Sequence, residues 1–219
     1  MFKPFLCYNS IEMINFRKYI NPVLARKRRY EEICQLVGLN PTDKILNVGC
    51  GEGLSFEAFN KKNKIIGLDT FARKKIFQGN FSYLQGDASD MSVFKDRQFD
   101  LVICIGVLEH IFPFNKLKRA VNEIQRVGKS YVIIIPHFYT PLEPHYQLPF
   151  WQLYPESLKS FLIKHFSIGY IKKNSQGEFE KLNYFKKEKW HSLFPGSSIV
   201  SHNHILGGVI KNYIIYKKK

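Results

Sequence analysis

A chain of 219 residues with 45% hydrophobic and 23% charged side chains has ordinary globular composition, enough for one domain with a sizeable core. No segment holds the uninterrupted apolar length that crosses a bilayer. The start, Met1-Phe2-Lys3-Pro4-Phe5, lacks the apolar core and cleavage site of a signal peptide, so the expected location is cytoplasmic.

The net charge of +15 is uneven: residues 41–158 carry 14 basic against 12 acidic side chains, and residues 159–219 carry 12 against 3. Basic runs stand at Arg26-Lys27-Arg28-Arg29 and Lys217-Lys218-Lys219 and allow peripheral contact with anionic surfaces. Lysine far outnumbers arginine, beside much Ile, Asn, Phe and Tyr, which fits AT-rich coding better than a nucleic-acid partner.

Asn15 to Gly38 is expected to be an amphipathic helix, with Phe16, Ile20, Leu24, Ile33, Leu36 and Val37 apolar, a kink near Pro22 and Gly38 as its end. Strands then alternate with helices: strand 45–48 and helix 53–60, strand 64–68 and a short helix near 71–77, then strand 81–85 and a turn from Asp90 to Phe94. Strand 100–105, helix 115–127 and strand 131–135, stopped by Pro136, follow. Near-continuously apolar strands in such alternation imply an α/β protein, a parallel sheet covered on both faces.

After Pro136 comes an aromatic and proline-rich loop, His137 to Trp151. Loops of that length usually serve as lids or binding elements, and this one leaves the carboxyl end of the fifth strand, where open α/β sheets bind ligands. Helix 155–165, strand 166–172, an insertion with Gly177, Pro195 and Gly196, and a last strand at about 208–216 complete the chain.

The first strand, Ile45-Leu46-Asn47-Val48, runs into Gly49, Gly51 and Gly53, and the second ends at Asp69. Such glycines remove side chains that would hold a ligand off the backbone, and the helix that follows opens with unpaired N–H groups. A strand-tip carboxylate accepts from both ribose hydroxyls, worth about 1.5–3 kcal/mol for charge-assisted contacts. A dinucleotide fingerprint would need a third glycine at position 54, which is leucine, so the spacing weakens an NAD reading.

The segment resembles motif I of the class I S-adenosylmethionine-dependent methyltransferases, with Asp69 as the ribose-binding acid. Two further blocks match in order: Phe81 to Ala88, whose Asp87 would hold the adenine amino group, and Phe99 to Ile111, the fourth strand and the turn beneath the methyl donor. The resemblance implies S-adenosyl-L-methionine as cofactor, bound by Asn47, Gly49, Gly51, Gly53, Asp69, Thr70, Asp87, Ala88 and Gly106. It implies a Rossmann-like methyltransferase fold of seven strands in the order 3-2-1-4-5-7-6, the last antiparallel, and a single domain over residues 1–219. Within it, residues 1–40 form a helical cap, 41–136 the cofactor-binding core, and 137–219 the acceptor loop and C-terminal strands. In the family the cap lies over the pocket, and Arg26 or Arg29 would meet the donor's carboxylate. The family usually has Asp or Glu where this chain has Asn47; asparagine keeps the size and one acceptor but not the charge facing the donor's ammonium group.

Methyl transfer from a sulfonium is an in-line displacement that needs positioning, worth about 7–11 kcal/mol, and for an oxygen acceptor a base worth on the order of 10²–10⁴-fold. His110, His137 and His145 are the candidate catalytic residues, because each stands near the ends of strands four and five and imidazole titrates in the useful range. Glu143, His145 and Tyr146 are the candidate acceptor-binding residues. Their Glu-Pro-His-Tyr run resembles the acceptor loop of methyltransferases from bacterial surface-polysaccharide gene clusters, which implies O-methylation of a small-molecule or glycan acceptor. Cys7, Cys34, Cys50 and Cys104 show no metal-like clustering, and no metal is expected. An RNA methyltransferase, suggested by the basic tail, and a non-catalytic protein that keeps the fold, suggested by Asn47, are the alternatives.

Overall fold

The computed structural model describes residues 22–51, 53, 62–71, 79–166, 168–169, 182–205 and 210–219. Seven strands form one sheet: β1 (Lys44–Val48), β2 (Lys64–Asp69), β3 (Phe81–Gln85), β4 (Leu101–Ile105), β5 (Tyr131–Pro136), β6 (Ser198–Ile205) and β7 (Ile210–Lys217). Their order is β3-β2-β1-β4-β5-β7-β6; the first five pair in parallel, and β7 is antiparallel to both β5 and β6. This is the topology the resemblance implies, reversed last strand included.

The apolar runs are continuous because both faces of the sheet are covered. Successive side chains of a strand point to opposite faces. Ile45, Leu101, Ile103, Val132 and Ile134 meet Tyr30, Ile33 and Val37 of helix α1 (Pro22–Val37). Leu46, Val48, Val102, Cys104, Ile133 and Ile135 meet Leu117, Ala120, Val121, Ile124 and Val127 of helix α2 (Phe114–Val127). The three- and four-residue spacing of the α2 positions makes one apolar stripe. Burying each such aliphatic side chain contributes about 1.5–3 kcal/mol.

The sixth strand departs from the expected position. Phe166 caps helix α3 (Glu156–His165), Ile168 and Gly169 are not strand, and the rest of 166–172 lies outside the described residues. Instead β6 runs through Ser198–Ile205, in the stretch read as an insertion, after helix α4 (Lys187–Leu193), which buries Trp190 and Leu193. Ile199 is buried while Val200 is 40% exposed, followed by Ser201, His202, Asn203 and His204. An edge strand with so little buried surface leaves only a faint period-two signal. The expected helices at 53–60 and 71–77, residues 15–21 of the first helix, and Gly177 fall outside the described residues, except Gly53 and Phe71. Among the described residues no helix is long and apolar enough to cross a membrane.

Candidate active site

The carboxyl ends of β1 to β4 open on a cavity of about 430 Å³, a size suited to a small-molecule ligand. Gly49, Asp69, Thr70, Asp87, Ala88 and Gly106 line it, together with His110, Phe112 and Lys116. Gly51 and Gly53, expected at the site, are not among its lining residues: the Gly51 N–H donates to Asp69 Oδ2 at 2.8 Å, and the Gly53 N–H closes a turn on the Cys50 carbonyl at 3.1 Å. The second Asp69 oxygen accepts from the Phe71 N–H at 3.2 Å. Asn47 is buried within β1, between Gly67 of β2 and Ile103 of β4. The side chains of Arg26 and Arg29 lie outside the described residues.

Asp87 stands where the strand-three motif puts it, but with a partner the sequence does not announce. Lys116, on the first turn of α2, meets its Oδ2 at 2.6 Å, and the Ser89 N–H donates to its Oδ1 at 2.8 Å. Burial works against the charge, yet the contacts with Lys116 and Ser89 hold the carboxyl below the usual aspartate value. At Gly106 a Cβ would meet nothing nearer than Glu109 Oε1 at 3.8 Å and would project into open space. A strand-tip acid, a second acid beyond β3, small Ala88 and an open Gly106 fit the nucleoside end of S-adenosylmethionine.

Two turns far apart in sequence meet beside the cavity, and the first of them lines it through His110 and Ile111. After β4, Leu108–His110 form a 3₁₀ turn that Asn183 holds: its N–H donates to the Glu109 carbonyl at 2.7 Å, and its side-chain amide to the Ile111 carbonyl at 2.9 Å. After β5, the loop folds on fully buried Glu143. Glu143 Oε2 accepts the N–H groups of His145 and Tyr146 at 2.7 and 2.6 Å, while Oε1 meets His145 Nδ1 at 2.7 Å. Gln152 fastens the start of this loop through the Phe138 and Thr140 carbonyls at 2.7 and 3.0 Å.

The two turns meet where the rings of His110 and His145 pack edge to face at 5.0 Å. Glu109 lies beneath them, 1% exposed, and its Oε2 has no hydrogen-bond partner among the described residues. Burial pushes the Glu109 carboxyl pKa up, against the pull of His110 and His145. Glu109, His110 and His145 each offer a ligand atom, all within 4.8 Å of one another. The sequence reading expects no metal site because it weighs cysteine spacing, whereas these three residues come together only in the fold.

The remaining candidates go elsewhere. His137 turns toward β7: its ring lies 4.1 Å from that of Tyr213, and its Nδ1 accepts the Tyr139 N–H at 3.0 Å. Burial and the nearby Lys211 charge lower its pKa. Tyr146 is 4% exposed and stacks on Trp151 at 4.1 Å, in a cluster that includes Ile168 and, on α3, Leu162 and Ile163. Sequence reasoning missed Lys116, Asn183 and Gly169. Gly169 is glycine because a Cβ there would stand 2.1 Å from the His145 carbonyl oxygen. Its φ of +61° also favours glycine, and a lone glycine in a loop discloses neither constraint.

Residues 46–135, which supply the cavity walls and the Glu109 turn, match the family described as a methyltransferase domain. That segment carries a methyltransferase domain. An uncharacterized protein of Methanocaldococcus jannaschii is 33% identical over 144 residues, 58% of this chain and 59% of its own length. The chain thus matches about three-fifths of that curated relative. A S-adenosylmethionine-dependent methyltransferase structure from Methanosarcina mazei superposes with a TM-score of 0.53 at 19% identity, over 84% of this chain and 95% of that one. The 1,6-didemethyltoxoflavin-N1-methyltransferase of Burkholderia thailandensis, solved with its acceptor and S-adenosylhomocysteine, gives 0.59 at 11% identity over 91% and 80%. At such identities the likeness is one of fold.

Proposed function

We propose that the methyltransferase moves the methyl group of S-adenosylmethionine to a hydroxyl oxygen of a small-molecule or glycan acceptor, in the cytoplasm. The observation that carries this reading is the cluster of Glu109, His110, Glu143 and His145 at the end of the donor cavity that His110 lines. S-adenosylmethionine, when bound, supplies an electrophilic methyl group on a positively charged sulfur. The acceptor oxygen forms its bond to that carbon as the C–S bond breaks, with the electron pair going to sulfur.

A hydroxyl attacks well only as its proton is drawn off, and the cluster is where that happens. Glu143 accepts the Nδ1 hydrogen of His145 and fixes the orientation of its ring, which packs edge to face on that of His110. A nitrogen acceptor, such as the one named for the toxoflavin enzyme, needs less of such a device, which favours oxygen here. Tyr139 and Phe150, 51% and 45% exposed on the same loop, offer faces for the apolar side of a sugar ring. The resemblance of the Glu143-Pro144-His145-Tyr146 run to acceptor loops of polysaccharide-cluster methyltransferases supports the glycan.

The test is His145→Ala. Transfer to a nucleotide sugar or lipid-linked glycan, read by mass spectrometry as the gain of one methyl group, should slow by about 100-fold or more. S-adenosylhomocysteine affinity, measured by calorimetry, should stay within about twofold of the parent. Loss of donor binding instead would place His145 in the donor site and end this assignment.

A further inference from the structure

We propose that Glu109, His110 and His145 bind a divalent transition-metal ion, to which the acceptor hydroxyl is a further ligand, so that the ion activates the acceptor. This rests on the O-methyltransferase reading above and says how the cluster acts.

Four observations converge. First, one carboxylate oxygen and two imidazole nitrogens lie within 4.8 Å of one another. Tetrahedral ligands at roughly 2.0–2.2 Å from a common ion stand about 3.3–3.6 Å apart, so side-chain movements of up to about 1.5 Å complete the site. Second, Glu109 Oε2 is buried without a hydrogen-bond partner among the described residues, in a side chain 1% exposed. A carboxylate so placed is costly unless a cation or donor meets it.

Third, the outer contacts of a metal site are already present. Glu143 holds His145 Nδ1 at 2.7 Å, and two backbone N–H groups saturate its other oxygen. Carboxylate-oriented histidine is the usual second layer around a metal ion, and Asn183 fixes the turn that carries the other two ligands. Fourth, the site is open on the correct side. His110 lines the donor cavity, and Glu109 Oε1 is the atom nearest to where a side chain at cavity-lining Gly106 would begin.

Two imidazoles and one carboxylate with open positions suit zinc and its transition-metal neighbours; magnesium and calcium prefer all-oxygen sites. Coordination lowers the pKa of a bound hydroxyl, whose proton leaves to solvent water in the cavity. The resulting oxyanion forms the C–O bond, the C–S bond breaks, and its electrons go to sulfur. Glu109 and the oxyanion together offset the two charges of the ion, and the ether product, a weaker ligand, departs.

Cobalt(II) serves as the probe, added to the full chain after stripping with a chelator. One equivalent is expected to bind with a visible absorption band that zinc(II) displaces. Glu109→Gln and His145→Ala should each weaken uptake by at least about 100-fold, and Glu143→Gln, which only loosens His145, by roughly 10–100-fold. S-adenosylhomocysteine titration of the same stripped sample keeps the two readings apart. A stripped protein that binds S-adenosylhomocysteine but takes up no cobalt overturns the metal site, as does uptake unchanged in both ligand variants. Full transfer activity in the stripped protein overturns the role of the ion while leaving the methyltransferase reading intact. Cobalt uptake without S-adenosylhomocysteine binding supports the site and removes the methyltransferase reading beneath it.

Discussion

Gly49 illustrates how one residue answers to two constraints. The sequence explains it by the close approach of a ligand; the fold adds that its φ is +71° and that a Cβ would lie 2.1 Å from Val107 Cγ2, on the turn after β4. Left-handed backbone costs roughly 1–2 kcal/mol for any other residue, and an overpacked contact about 1–3 more. Gly49→Ala is therefore expected to lose at least about 2 kcal/mol in denaturant unfolding and to weaken S-adenosylhomocysteine binding together with it. A variant as stable as the parent would show that Val107 gives way freely. Gly169 offers the complementary experiment. Because its Cβ would collide with the backbone of His145 and Tyr146, Gly169→Ala should displace the acceptor loop, slowing transfer while donor affinity is retained. Steady-state rates beside donor calorimetry decide it. Asp69 holds Gly51 and Phe71 in place as well as lining the cavity. Asp69→Ala is expected to weaken donor binding by about 1.5–3 kcal/mol, and Asp69→Asn, which keeps the shape, by less.

Helix α2 does more than cover the sheet. Arg126 on its last turn donates to the Met91 and Phe94 carbonyls, both at 2.9 Å, and to Asp96 at 2.8 Å, while Glu123 accepts the Met91 N–H at 2.7 Å. The helix thereby holds the segment just after Asp87 and Ala88, which line the cavity. Arg126→Lys replaces a planar fork of five donors by a single ammonium and strands at least one partly buried carbonyl. A loss of about 1–3 kcal/mol is expected, with faster hydrogen exchange confined to residues 89–96. Uniform exchange across the chain would contradict a local clamp. The helix itself was legible, since Leu117, Ala120, Val121, Ile124 and Val127 fall on one stripe. The task of Arg126 was not, because its partners sit on a loop distant in sequence. The sixth strand was missed for the opposite reason: its pattern is local but too polar to stand out, and only pairing with β7 makes it a strand.

Ion pairs tie adjacent central strands together at the amino-terminal edge of the parallel sheet. Asp100, just before β4, accepts the Lys44 N–H at 2.9 Å and meets Lys129 and Lys219 at 2.9 and 3.5 Å. Burial opposes its charge, but these contacts lower its pKa below the ordinary 3.8; Asp87 is lowered likewise, and Glu123 falls below 4.5, chiefly through Arg126. Carboxyls depressed in the folded chain contribute stability that is fully present above their unfolded values and is lost as pH falls through the folded ones. Unfolding free energy should therefore be insensitive to these groups between about pH 7 and 5 and decline below about pH 4, with Asp100→Asn flattening the decline. Denaturant titrations across that range test it; stability rising on acidification would be the contrary result. The donor half of the protein was readable from sequence because its signals are consecutive: apolar period-two runs, a glycine turn, and acids at strand tips each act within a few residues. The sequence alone thus determined the α/β sheet, its order through the family resemblance, and the strand ends that line the cavity. What joins Glu109 and His110 to His145 is the parallel register of β4 and β5, which sets the turn after β4 beside the loop after β5; Lys116 meets Asp87 across two intervening strands of the sheet. Such contacts are decided by the tertiary structure, because no local pattern encodes which distant turn will stand alongside.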